Sequence, residues 1–240
     1  MEKNKTGKYL KYAIGEIVLV VIGILIALQI NTWNEGRKQV KQGKAYANEI
    51  FNDVKDDIIY LESIINKLEE QKLNSGQVLN VFESENKYVS DSVAFVAQNL
   101  STNMPISVNR RDNTYDELKA TGKLGMIAND SVITRVKQFY EVYDYRISQY
   151  FETPAQARKE NRTTFQECLD KASADRYEQG ETGKKQYNKS WFECYLNNKK
   201  AEIEVRIIYS SSHWQAKHFK NVRKTGQSVI DYMNDVLETK

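Results

Sequence analysis

The chain has 240 residues, 28% of them charged, and a formal net charge of +3. Acidic and basic residues are nearly balanced and mixed along the chain, which argues against the basic face that nucleic acid requires. Two prolines and 11 glycines are too few breakers for a many-stranded fold with regular turns, so long helices are expected.

The first element is apolar. Every residue from Ile17 to Leu28 is apolar or glycine. With Ala13 to Glu16, Gln29 and Ile30 the run reaches about 18 residues, close to the minimum for a membrane-spanning helix. Tyr9 and Tyr12 flank one end and Trp33 the other, as interfacial aromatics do. A cleaved signal and a buried core helix are the rival readings. The residues after Leu28 lack small residues at cleavage spacing and no cysteine follows for a lipid anchor, so an uncleaved span over 13–33 is expected. Lys3, Lys5, Lys8 and Lys11 precede it; Arg37, Lys38, Lys41 and Lys44 follow at a greater distance, diluted by Glu35. That asymmetry places 1–12 as a cytoplasmic tail and 34–240 as a periplasmic helical domain, in a single-pass protein of the inner membrane.

Glu16 is an ionisable group inside this span. Glu16, Val20, Gly23 and Ala27 recur at steps of four, three and four, so they share one helix face. Small residues let helices approach, and a carboxyl there hydrogen-bonds across the contact. The face is a candidate for self-association or for another membrane protein's span. The competing reading has Glu16 snorkelling to the head groups.

Beyond Trp33 the pattern stays helical. Val54, Ile58, Leu61, Ile65, Leu68, Ser75, Leu79 and Phe82 alternate steps of four and three, with Lys72 in the slot before Ser75. Ile59 and Ile64 widen the stripe, which favours an intramolecular bundle over a coiled coil. Glu83 to Lys87 is a polar break, and Ser90 to Ser92 offer a cap for a helix through Leu100. Ser101 to Arg111, with Pro105, reads as a loop. Thr114 and Glu117 have capping-box spacing, Gly122 marks a stop, and Asn129-Asp130 starts another helix. Its stripe is Val132, Val136, Phe139, Tyr143, Ile147 and Tyr150; Pro154 is expected to kink or end it. The pattern resumes through Phe165 and Leu169. Residues 179–183 read as a loop. A final helix is expected over 191–237, weakest at Ser210 to Ser212, with Ile203, Ile207, Trp214, Val222, Val229, Met233 and Val236 as its apolar positions. The expected fold class is all-α: one transmembrane helix followed by a long-helix bundle.

Two stretches carry a family resemblance. KYLKYAIGEIVLVVIGILIALQINTWNE, residues 8–35, resembles the N-terminal signature of single-span Bacteroidota membrane proteins catalogued as domain of unknown function number 6090. TYDELKATGKLGMIAND, residues 114–130, is similar to that family's internal motif. The resemblance implies a membrane protein of the cell envelope and implies no activity, catalytic residue or cofactor. Within the second stretch Tyr115, Glu117 and Lys123 are a candidate recognition corner; the alternative is a purely structural helix–turn–helix corner.

Cys168 and Cys194 are the only cysteines. Outside the cytoplasm they are a candidate disulfide, with two buried thiols as the alternative. His213 and His218 are five residues apart and do not share a face as a metal pair requires. Ser210 to His213 has a triad's composition without its geometry. No catalytic, cofactor or metal site is expected. The chain is expected to be a non-catalytic envelope protein acting through protein contacts, as scaffold, accessory subunit or sensor input. The alternatives are a periplasmic module sensing a small ligand between helices, and an enzyme of unrecognised type.

Overall fold

The computed structural model describes residues 5–86, 90–102, 106, 108–110, 113–150, 152–169 and 189–238. Among them are seven α-helices, one 3-10 turn and no strand. The helices are α1 (Lys5–Glu83), α2 (Asp91–Thr102), α3 (Asn113–Ala120), α4 (Asp130–Tyr150), α5 (Glu152–Cys168), α6 (Lys189–Leu196) and α7 (Lys199–Glu238); the 3-10 turn is Lys123–Met126. The chain divides into two compact units, residues 1–51 with 113–133, and residues 52–112 with 134–240.

Neither proline falls within α1, which runs for 79 residues. Glycine costs only about 1 kcal/mol in a helix interior, so its scattered glycines do not break it. In the first unit its apolar stretch packs against nothing: every residue of the most apolar 18-residue window is exposed. Further along, Gly43 meets the 3-10 turn. A Cβ there would lie 2.0 Å from the Met126 carbonyl oxygen and 2.9 Å from its carbon. The backbones touch, and only glycine leaves room. The corner that makes this contact is built as its residues require. The Thr121 and Gly122 amides donate to the Glu117 and Lys119 carbonyls, and Gly122 takes φ 69°. Asn129 Oδ1 then accepts from the Ser131 and Val132 amides and starts α4. Thr114 lies inside α3 rather than ahead of it, because the helix begins at Asn113. The unit buries Ala47, Ile50, Tyr115, Leu118, Ile127 and Val132.

The second unit is a bundle. Glu62 pairs with Arg223, Glu69 with Lys220 and Glu83 with Arg206, so α1 and α7 run antiparallel. Arg135 stacks on Tyr232, Phe139 reaches Gly226 and Tyr143 meets Phe219, so α4 also opposes α7. Thr164 bonds Glu204, so α5 follows α4 along the same helix. α4 ends at Tyr150 and α5 begins at Glu152, so Pro154 sits in the first turn of α5, where its missing N–H costs nothing. Ser90 caps α2 through the Val93 amide. One core cluster joins Val78, Phe82, Ala97, Phe165, Phe192, Tyr195, Val205 and Ile208. Each fully buried large apolar side chain contributes about 1.5–3 kcal/mol.

Several expectations need correction. The inward slot after Leu68 belongs to Gln71, which is buried, and Lys72 is only half-buried. Ile59 faces solvent. The final helix is two: Asn197 and Asn198 separate α6 from α7, and Asn198 Oδ1 caps α7 by accepting from the Lys200 and Ala201 amides. Ser210 to Ser212 are no weak point, because their hydroxyls donate back to the Ile207 and Ile208 carbonyls and the helix continues. Along the first half of α7 the buried stripe is Ala201, Glu204, Val205, Ile208, Ser212, Gln215 and Ala216, while Ile203 and Trp214 are exposed. The expected loop at 179–183 lies outside the described residues.

Candidate functional site

The densest interior polar chemistry lies on α5. Arg158, Asn161 and Thr164 are spaced by three, so they share one face, and that face is buried. Each is tied to a different helix. The Arg158 guanidinium donates to the Gln71 side-chain oxygen on α1. Tyr195 of α6 donates its hydroxyl to Asn161 Oδ1 at 2.6 Å. Thr164 donates to Glu204 Oε1 of α7 at 3.2 Å. Burial pulls Arg158 down to about 10, which still leaves it charged at neutral pH. α5 ends at Cys168, whose sulfur is bonded to Cys194 of α6 with a Cα–Cα distance of 5.6 Å.

Glu204 is the outlying member. Its side chain is only 3% exposed. Burial raises its pKa above the ordinary carboxylate value; the Thr164 hydrogen bond and Lys200 oppose the rise, and Glu160 adds to it. Lys200 Nζ stands 3.7 Å from Oε1. Oε2 has no hydrogen-bond partner among the described residues. The carboxylate therefore sits just under the surface with half of its acceptor capacity unused.

Outside Glu204, α7 shows an apolar strip. Ile203 is 50% and Trp214 48% exposed, with half-buried Ile207 between them. Trp214 is held on several sides: Lys217 Nζ lies 4.9 Å from its ring centroid, His218 stacks on it at 6.2 Å and His213 meets it edge-on at 5.6 Å. His218 titrates below its ordinary value, first because of burial and then because of Arg146 and Lys217. Arg146 belongs to α4, so this end of the strip is basic, while the other end mixes Glu160 and buried Glu204 with Lys200.

The residues singled out from sequence fall in three places. Glu16, Val20, Gly23 and Ala27 lie on α1 and are exposed, and nothing stands within 4 Å of where a Gly23 Cβ would be. Cys168 and Cys194 are brought together as a disulfide. Glu117 and Lys123 are exposed, but Tyr115 is 4% exposed and belongs to the interior of the corner, so it offers no surface to a partner. His213 and His218 both contact the Trp214 ring. Among the described residues no three His, Cys, Asp or Glu side chains converge as a metal site. The α5 face was missed in the sequence. Its signal was present, as three polar residues at helical spacing beside Ala157 and Phe165, but a polar stripe reads as a solvated one.

Residues 16–166 match the model of a family of unknown function, DUF6090, and the chain belongs to that family. The match takes in the apolar segment, the α3–α4 corner and nearly all of α5, and stops before α6 and α7. No curated protein and no solved structure matches the chain.

Proposed function

We propose that the protein is a membrane-anchored, non-catalytic protein of the cell envelope that acts through protein contacts. The observation that carries this reading is the unpacked apolar stretch of α1. A window of 18 residues with no buried member is long and apolar enough to cross a membrane. Exposed to water it would forfeit about 25 cal/mol for every Å² of apolar surface, and a bilayer removes that cost. The Arg37 guanidinium stacked over Trp33, 5.6 Å from the ring centroid, supports an interfacial girdle at the far end. The Cys168–Cys194 bond supports placing the bundle in an oxidising compartment, hence the amino terminus in the cytoplasm and the bundle in the periplasm. Protein contact as the mode of action is supported by exposed helix faces that carry apolar side chains without catalytic groupings beside them.

The test combines extraction and topology. The protein is expected to stay in the pellet after alkaline carbonate treatment. A phosphatase fused after Lys240 is expected to be active, as that enzyme is only in an oxidising compartment. Carbonate-soluble protein would overturn the anchor, and an inactive, correctly expressed fusion would overturn the orientation.

A further inference from the structure

The part of α1 just beyond its apolar segment carries charge of one sign along one side. From Gly36 to Asn48 there are four basic residues, Arg37, Lys38, Lys41 and Lys44, and no acidic one. Arg37, Lys41 and Lys44 follow at steps of four and three, so they stay within about 60° of arc and form one line. All three are exposed. Lys38 leaves the line and pairs with Glu35 at 3.0 Å. Glu35 itself projects from the opposite side, about 160° from Arg37. Gly43, where Met126 touches the helix, lies about a third of a turn from the line. The exposed charges of that corner, Lys119 and Lys123 against Asp116, Glu117 and Asp130, come close to cancelling. The line also has a direction. Cα–Cβ bonds tilt toward a helix's amino terminus, which for α1 is the side of the apolar segment. Arg37 shows this directly, because its guanidinium lies back over the ring of Trp33.

Resting on the reading that α1 is anchored in a membrane, we propose that Arg37, Lys41 and Lys44 bind the head groups of anionic phospholipids around the span. The occupant follows from position, since the bilayer is what a span brings to this face. Arg37, Lys41 and Lys44 stand about 6, 12 and 17 Å along the axis beyond Trp33. The head-group layer is roughly 5–8 Å deep on each side, and surface charge acts across a further Debye length of about 8 Å. With their side chains aimed back along the helix, all three cations fall within that range. Arg37 meets a phosphate as a planar fork, and the two lysines act as point charges. Phosphatidylglycerol keeps the net charge of its phosphate, whereas choline cancels that of phosphatidylcholine, so the line selects the first. Such attraction leans α1 toward its basic side and holds for either orientation of the chain, because it asks only for anionic lipid in the leaflet at Trp33.

The experiment places a photo-crosslinking residue at exposed Val40, one turn from both Arg37 and Lys44, in the full chain reconstituted into vesicles of equal parts phosphatidylglycerol and phosphatidylcholine. Mass spectrometry of the adducts reads which lipid stands beside the line. Phosphatidylglycerol adducts are expected to exceed phosphatidylcholine adducts about threefold or more at low salt. The excess should disappear in about 1 M salt, where the Debye length is about 3 Å, and in Arg37→Gln/Lys41→Gln/Lys44→Gln. The salt series uses the chain with its basic line intact, so it decides the matter even if the triple variant does not fold. Adducts in equal amounts, an excess that salt leaves untouched, an excess that a folded triple variant retains, or no lipid adduct in a chain that stays in the vesicles each overturns the proposal. Carbonate treatment of the same vesicles separates the two readings. A chain that stays with the lipid but shows no preference leaves the anchor standing, and a chain washed out by carbonate overturns the anchor and this binding together.

Discussion

Glu204 is placed against its own solvation. Its folded pKa lies above the ordinary value of 4.5, so the folded state holds a proton more tightly than the unfolded chain does. The sign follows: stability is lost as pH rises from the unfolded value through the raised folded value. Glu204→Gln keeps the shape and the Thr164 hydrogen bond but removes the charge. It is expected to melt a few degrees higher than the natural protein at pH 7, at about 2–4 °C for each kcal/mol. The difference should vanish near pH 4. Paired melting curves from pH 4 to 7 isolate this carboxyl from groups such as Glu69, which Lys220 shifts the opposite way. A constant difference across that range would contradict the assignment.

At the scale of elements, α5 carries, beside the apolar Ala157 and Phe165 that it buries in the core, three polar residues that each name a different neighbour. Buried polar pairs of this kind contribute little net stability but leave a mispaired helix with an unsatisfied group. Tyr195→Phe and Asn161→Ala are each expected to cost about 1–3 kcal/mol, and the pair together less than the sum. A double-mutant cycle by urea melting measures the coupling, and strict additivity would mean that the 2.6 Å bond does not organise the helix. The same residues explain what the sequence hid. The class of fold, the apolar segment, the Gly122 stop, the Asn129 start and the α4 stripe were legible, because each rests on local spacing or on one residue's backbone preference. The inward face of the first half of α7 was not, although in the second half the expected Val222, Val229 and Met233 are buried. Glu204, Ser212 and Gln215 occupy it while Ile203 and Trp214 point outward, so a hydrophobic period picks the wrong phase. Gln71 was passed over for the same reason: its partner Arg158 is 87 residues away, beyond any local pattern.

At the scale of the whole molecule, the two cysteines close a loop with a sequence separation of 26. In the chain-entropy model such a closure is worth on the order of 3–4 kcal/mol. Cys168→Ala/Cys194→Ala is therefore expected to melt roughly 6–16 °C lower than the oxidised protein. The natural protein under reductant should do the same, and an unchanged transition in calorimetry would show that the link constrains nothing. The family model ends at residue 166, so this bond and all of α7 fall in the part of the chain outside the match. The seat at Gly43 falls inside it, and it bears on how α1 is able to move. Met126 rests on bare helix backbone there. One turn along, the same spot on the helix would present Tyr46 or Ala47 in one direction and Val40 or Gln39 in the other, and each of these carries a Cβ into a space already occupied by a carbonyl. The corner thus works as a detent on a shaft: α1 neither slides nor turns past it without lifting the 3-10 turn away. Any piston-like displacement of the helix would have to carry residues 113–133 with it.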